Sequence, residues 1–321
     1  MTTADPRRAK LVNSLLRAAI LAPSSHNTQP WIFEVSGKRL LLFADRTRAL
    51  PANDPDDREL TMSCGCALMN LRIAAAHAGQ PVRVDTLPNP GDEDLMALVD
   101  IEDRGDVPAD DALLFAAIDR RHTYRKRFDA RIIPPTLLES LGQAVRQEGA
   151  WLFTATDAAM RDDIADLVAE GDAIQWANPS WRRELAAWMH PRRKGDGLTM
   201  PELAAPVARM VVRTFDMGKG VGAGDSELAE ESPVLAILGT DGDSVAEWLR
   251  AGQALQRLLL TACVAGVQAS FLNQPVQVAA LRSKLQHRIG RPGFPQVLVR
   301  LGYPTEDVRP APRRELADVV E

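Results

Sequence analysis

Two short segments of this 321-residue chain hold residues whose types and spacing could do chemistry. The first runs Ala22-Pro23-Ser24-Ser25-His26-Asn27-Thr28-Gln29-Pro30-Trp31. It sets hydroxyls, amides and backbone N–H groups side by side with little charge, an inventory suited to the polar edge of a flat heteroaromatic ring. The same composition also makes a plain Ser/Asn/Pro turn. The second runs Arg120-Arg121-His122-Thr123-Tyr124-Arg125-Lys126-Arg127-Phe128. Such a density of cations around a hydroxyl could clamp a phosphate through forked guanidinium contacts, or form a solvated basic loop. Arg309, Arg313 and Arg314 could add to the same charge or lie in a frayed tail.

Other chemistries lack their residues. Cys64, Cys66 and Cys263 sit in apolar, Ala-rich stretches, which suits core packing better than redox work. The five histidines are scattered without metal-ligand spacing, so no metal site is expected. Gly218, Gly220, Gly222 and Gly224 are spaced like a phosphate loop, but no Lys-Ser/Thr follows; a flexible loop is expected there. A net charge of −5 argues against a nucleic-acid partner. No apolar run reaches membrane length, and the polar start MTTADPRRAK is no secretory signal, so a cytoplasmic location is expected.

The elements that must position the two segments carry an internal echo. Gly65–Gly79 (GCALMNLRIAAAHAG) and Gly252–Gly266 (GQALQRLLLTACVAG) match at seven of fifteen positions without a gap. Leu68, Leu71, Ala75 and Ala78 follow helical spacing, which puts the matches mainly on one face, and each helix ends at a glycine. Strand-like sequence follows both. The pattern predicts a duplicated α+β unit: strands near 31–35, 39–44 and 95–102 in the first copy, and near 150–154, 233–239 and 295–302 in the second. Residues 171–231 have no counterpart in the first copy and read as a lid-like insertion.

Ala22–Trp31 closely resembles the APSxxNxQPW segment of the nitroreductase family. Arg121-His122-Thr123-Tyr124-Arg125 is similar to that family's RRSxR phosphate-binding segment, with Thr123 where Ser is usual. Leu301-Gly302-Tyr303-Pro304 and Pro312-Arg313-Arg314 resemble its C-terminal strand and last cationic contact. Family members are homodimers with FMN at the subunit interface, drawing the two motifs from different subunits. Here each half keeps one motif and has lost the other.

The resemblance therefore implies a nitroreductase-like α+β fold of two fused, diverged repeats, an intramolecular pseudo-dimer most like the Acg-type proteins. Its halves would be 1–115 and 116–321, with 171–231 as the lid. It implies a single FMN, with Arg121, Thr123 and Arg125 on the phosphate and ribityl chain and Arg313 or Arg314 adding charge. Ser24, Ser25 and Asn27 would meet the ring and ribityl groups, supported by Gln29. The Leu272-Asn273-Gln274 backbone would lie near flavin N5. No side chain is assigned a catalytic proton transfer. The implied activity is NAD(P)H-dependent reduction of a small electron acceptor, nitroaromatic or quinone, by a monomer. Storage of FMN under a closed lid is the alternative.

Overall fold

Each half of the chain builds a four-stranded antiparallel sheet with one long helix packed on it, and the two long helices cross. The computed structural model describes residues 6–103, 105–202, 204–307 and 310–321. In the first half, α1 (Pro6–Ala19) leads into the hairpin of β1 (Trp31–Ser36) and β2 (Arg39–Ala44). The hairpin closes in two residues, with Gly37 at φ +64° as such a tight turn requires. There follow α2 (Arg58–His77), β3 (Val82–Thr86), β4 (Leu95–Ile101) and α3 (Ala109–Ile118), giving the sheet order β1-β2-β4-β3. The boundary drawn after residue 115 falls inside α3, which packs on both long helices.

The second half opens with α4 (Pro135–Gln147) and β5 (Trp151–Ala155), then α5 (Ala158–Ala177) and α6 (Pro179–Ala187). Next come the short parallel pair β6 (Met189–Pro191) and β7 (Leu198–Met200), then α7 (Ala205–Thr214) and α8 (Gly218–Glu230). The chain ends with β8 (Val234–Thr240), α9 (Val245–Val264), β9 (Gln268–Phe271), α10 (Gln274–Gln277), α11 (Ala279–Ile289) and β10 (Phe294–Gly302). Its sheet order, β5-β8-β10-β9, repeats the first strand for strand, with α2 and α9 in equivalent places. The insertion thus starts earlier than residue 171: residues 156–233 stand where the first half has its two-residue hairpin turn.

The matched helices are the centre of the molecule. A Cβ added at Gly65 would lie 2.3 Å from the Leu249 carbonyl oxygen, and one at Gly252 would lie 2.0 Å from that of Met62. Backbone therefore meets backbone at the crossing, and only glycine fits on either side. Both helices end at left-handed glycines, Gly79 at φ +65° and Gly266 at φ +77°. The next N–H turns back into the helix in each, from Gln80 to Ala75 O and from Val267 to Ala262 O, 2.9 Å both. Burial extends well beyond the face of the matched residues: α2 is buried from Arg58 to Ala76 except at Arg72, and the matched Ala78 and Ala265 are exposed at the ends.

One apolar core spans both halves, from Leu16, Phe33 and Leu68 to Leu238, Leu258 and Val299. The second sheet also buries its outer face, where α5 and α11 bring Ile164, Val168 and Leu285 against Leu235, Ile237 and Leu298. That explains why Val234–Thr240 is buried at every position while β1 alternates and frays into solvent. The three cysteines are buried in or against the core, and burial pushes their thiols up, Cys66 to about 12. Among the described residues no helix is long and apolar enough to cross a membrane.

The glycine run is not a flexible loop. Gly218–Glu230 forms α8, because Gly222 and Gly218 let it close onto α5: a Cβ would stand 3.3 Å from Asp172 Cβ and 2.8 Å from Trp176 Cβ respectively. Tertiary contact thereby overrides poor intrinsic propensity. Two substitutions separate these roles. Gly252→Ala should cost about 3 kcal/mol, the upper end of overpacking penalties. Gly220→Ala, with open space around it, should instead gain roughly 0.5–1 kcal/mol. Urea unfolding of the two variants measures both.

Candidate functional site

The Ser24–Gln29 segment folds as a strained turn between α1 and β1. His26, Asn27 and Gln29 all lie in the left-handed region, at φ 51°, 57° and 53°. For non-glycine residues such backbone costs energy and persists only when its surroundings over-determine it. They do. The Gln29 N–H donates to Ser24 Oγ at 2.9 Å, and that of Asn27 to Ser24 O at 2.9 Å. The fully buried Gln29 side chain donates to Gly195 O (2.9 Å) and accepts from the Arg314 N–H (2.9 Å). Gln29 is thus a brace. Asn27 is also engaged within the protein, donating to Pro312 O (3.1 Å) and accepting from Arg313 Nη1 (3.2 Å). Ser24 keeps its own hydroxyl proton free among the described residues.

The second segment reaches the same place from the other half. The residues around Thr123 join the edge of β9: Thr123 forms a bridge with Ala269, and the Tyr124 N–H donates to Ala269 O at 2.9 Å. This run buries Arg121, whose Nη2 meets Leu21 O at 3.3 Å. Arg313 donates to the same Leu21 oxygen (3.0 Å) and to Ala22 O (3.1 Å). Two guanidiniums therefore converge just before the strained turn, and each leaves its Nε unpartnered. Neither has a carboxylate within ion-pair distance among the described residues. Burial lowers both, and the charge of Arg121 helps to bring Arg313 to about 9. Arg125 makes no hydrogen bond or ion pair among the described residues, and its charge is felt at His26. Arg314 differs: it braces Gln29 O (3.2 Å) and lies 3.6 Å from Asp45. Arg309 lies outside the described residues.

Sequence reasoning missed the centre of the arrangement, Glu59, at the first turn of α2. It is 3% exposed and accepts hydrogen bonds from Ser25 Oγ (2.5 Å), Asn53 (3.3 Å), Asn273 (3.1 Å) and Gln277 (2.9 Å). An acidic residue in a helix's first turn is ordinary in sequence, so nothing there marked it. Its charge, after burial, raises the neighbouring Asp54 to about 7. His26 feels the charges of both Glu59 and Arg125, and burial holds it neutral with a pKa lowered to about 4. Among the described residues no acceptor meets the backbone N–H of Asn273 or Gln274, which leaves both free for a ligand.

The insertion covers this assembly. Gly195 O and Gly197 touch Gln29 and Asn27, and the Gly197 N–H donates to Asn27 O at 3.2 Å. Arg48 pairs with Asp196 and lies over the Trp188 ring at 5.1 Å. Glu184 caps the backbone N–H groups of Ala52 (2.8 Å) and Asn53 (2.9 Å), while Trp181 Nε1 donates to Asn53 Oδ1 (2.9 Å). Buried cations without anions, a free hydroxyl proton and free N–H groups make a site for an anionic ligand with a polar, acceptor-bearing edge. No group of His, Cys, Asp and Glu among the described residues could hold a metal.

The chain is 32% identical to Rv3131 of Mycobacterium tuberculosis, named a candidate NAD(P)H nitroreductase, over 98% of this chain and 92% of the relative. It is 30% identical to acg of the same organism, similarly named, over 96% and 95% of the two chains. No family model matches. Among solved structures, the FMN-dependent nitroreductase NfnB of Mycobacterium smegmatis, in complex with NADPH, is 16% identical with a TM-score of 0.44. The match covers 64% of this chain and 95% of that one.

The buried carboxyl of Asp54 gives the site a pH signature. With its pKa raised from 3.8 to about 7, the folded chain holds a proton that the unfolded chain releases between those values. Its contribution to stability is therefore present below about pH 4 and lost as pH rises through 7. Asp54→Asn keeps an acceptor for the Leu60 N–H (2.9 Å) and removes the titration. Its melting temperature relative to the native chain should rise from pH 5 to pH 8, as thermal melts at the two pH values will measure.

Proposed function

The chain belongs to the nitroreductase family, and on that premise we propose that it binds one FMN between its halves as an NAD(P)H-dependent oxidoreductase. One observation carries the assignment: Arg121 and Arg313, from opposite ends of the second half, are desolvated together with no anion of their own among the described residues. An isolated buried charge is costly, so a site built this way is completed by its ligand. A phosphate monoester fits, since its oxygens accept from forked guanidiniums.

FMN, when bound, supplies two-electron redox chemistry between a nicotinamide donor and an electron-poor acceptor such as a nitroaromatic or quinone. The chain's own groups bind and orient. Arg121 and Arg313 would hold the phosphate, and Arg125 and Thr123 would serve the ribityl chain. Ser24 would donate its free proton and Ser25 would accept, while the N–H groups of Asn273 and Gln274 would be available to the ring's acceptor atoms. Gln29 and Arg314 brace the turn from behind. The crossing of α2 and α9 already supplies within one chain the contact that a dimer would make, so the protein acts as a monomer.

A second reading, storage of FMN without turnover, is favoured by the bonds that tie Gly195 and Gly197 to the turn. Stacking a nicotinamide requires near contact with the ring, so those bonds must open for turnover. Arg121→Ala should weaken FMN binding about 10- to 100-fold, the worth of one charge-assisted hydrogen bond. Removing an uncompensated cation should at the same time raise the melting temperature of the FMN-free chain. Fluorescence titration and thermal melts check the two; unchanged affinity removes the phosphate assignment. Anaerobic mixing with NADPH should bleach the flavin, and faster in Asp196→Ala, which loses the Arg48 tie. A native chain that bleaches no faster than free FMN is a store.

A further inference from the structure

Four donors surround the Glu59 carboxyl. Oε1 accepts from Asn273 Nδ2 (3.1 Å) and Gln277 Nε2 (2.9 Å), and Oε2 from Ser25 Oγ (2.5 Å) and Asn53 Nδ2 (3.3 Å). Two of these amide orientations are forced by groups that can only donate. The Leu298 N–H donates to Asn273 Oδ1 (3.1 Å), and the Trp181 indole donates to Asn53 Oδ1 (2.9 Å). Each amide must therefore turn its NH₂ toward Glu59. A carboxylate offers about four lone-pair positions, and here all four meet donors. Only the ionised carboxyl accepts from all four; a protonated one would displace an amide or turn Ser25 into the acceptor.

Among the described residues no cation bonds the Glu59 carboxylate, although its charge is felt at Arg58. Arg58, next in the chain, directs its guanidinium away, to Gln296 O (2.6 Å) and Val276 O (3.0 Å). His26 is held neutral by burial, and Asp54 adds no positive charge. Arg125 makes no bond to the carboxylate among the described residues, and its charge is felt at His26. Ser25, its only proton spent on Glu59, can offer a ligand lone pairs alone.

We propose that Glu59 is a positioning and potential-setting residue: an ionised carboxylate, solvated only by neutral donors, that makes the bound flavin harder to reduce. This rests on the FMN assignment above. In a low-dielectric interior an unpaired negative charge raises the energy of electrons added to its neighbour. The chain consequently binds oxidised FMN more tightly than reduced FMN, which drives electrons onward to the acceptor. The same carboxylate fixes Ser25 as an acceptor and holds Asn273 so that its backbone N–H is presented to the ring.

Dye-equilibrated anaerobic titration of the FMN-loaded chain tests this. Glu59→Gln keeps an acceptor oxygen for Asn273 and Gln277 and removes the charge. The preference for oxidised over reduced FMN should fall about tenfold, a rise in midpoint potential of about 30 mV for a two-electron couple. Ser25→Ala leaves the charge but removes its shortest donor, so the potential should move the other way. It decides the matter even if Glu59→Gln does not fold. A potential unchanged or lowered in Glu59→Gln, or raised in Ser25→Ala, overturns the proposal while leaving FMN binding intact. A native chain that binds no FMN fails earlier, at the assignment itself.

Discussion

Everything in this molecule hangs on one close approach, the crossing of α2 and α9 at Gly65 and Gly252. With no side chain on either glycine the two backbones touch, and the contact leaves no freedom for sliding or rotation. Polar groups lock it further. Gln256 donates to Asn70 at 2.6 Å, Asn70 donates to Ala18 O at 2.9 Å, and Cys66 Sγ lies 3.1 Å from Gly252 O. Around the crossing, buried Arg257 joins Asp111 and Glu148, both at 2.7 Å, and Arg72 joins Glu148 at 2.6 Å. These pairs tie α3 and the end of α4 to the long helices. The relative placement of the halves, and so of the Ser24–Gln29 turn against Arg121 and Asn273, follows from that lock.

The site differs from the helix crossing, where buried Arg257 has carboxylate partners in Asp111 and Glu148. In the site, cations and an anion are buried separately: among the described residues, Arg121 and Arg313 bond only carbonyls and an amide, and Glu59 bonds only neutral donors. Together with three left-handed residues in one turn, this is an expensive arrangement. A core that runs unbroken through both halves can carry it. The C-terminal segment closes the circuit. After Arg313 and Arg314 it runs along β1, where Phe33 pairs with Val320, so the second half ends as part of the first half's sheet.

The insertion replaces a hairpin turn, and its position explains its reach. Leaving β5 and returning to β8, it has its own small core of Trp176, Trp181, Met189 and Val212. It is anchored at its base by α5 and α8, and at its tip by single hydrogen bonds and the Arg48–Asp196 pair. Those tip contacts are individually weak, on the order of 1 kcal/mol each. The base is packed and the tip is held only by such bonds, which is the distribution a cover over a ligand site requires.

Much of this was legible in the sequence. The duplicated helix, its terminal glycines, the strand positions and the two motifs all rest on local spacing, and local spacing survives in a linear chain. Gly65 and Gly252 could even be paired by register, although not as touching backbones. The sequence could not show α8, because its four glycines disfavour an isolated helix and only packing of Gly218 and Gly222 on α5 reveals why it forms. It could not separate Arg313 from Arg314, since the difference is which one finds Asp45 and which one meets Arg121. Nor could it single out Glu59, whose four donors come from residues 25, 53, 273 and 277. Residue type and periodicity determine which elements form and which groups are chemically capable. Burial and partnership are properties of the packed chain, and these decided which cations stay unpaired and where one buried carboxylate keeps its charge.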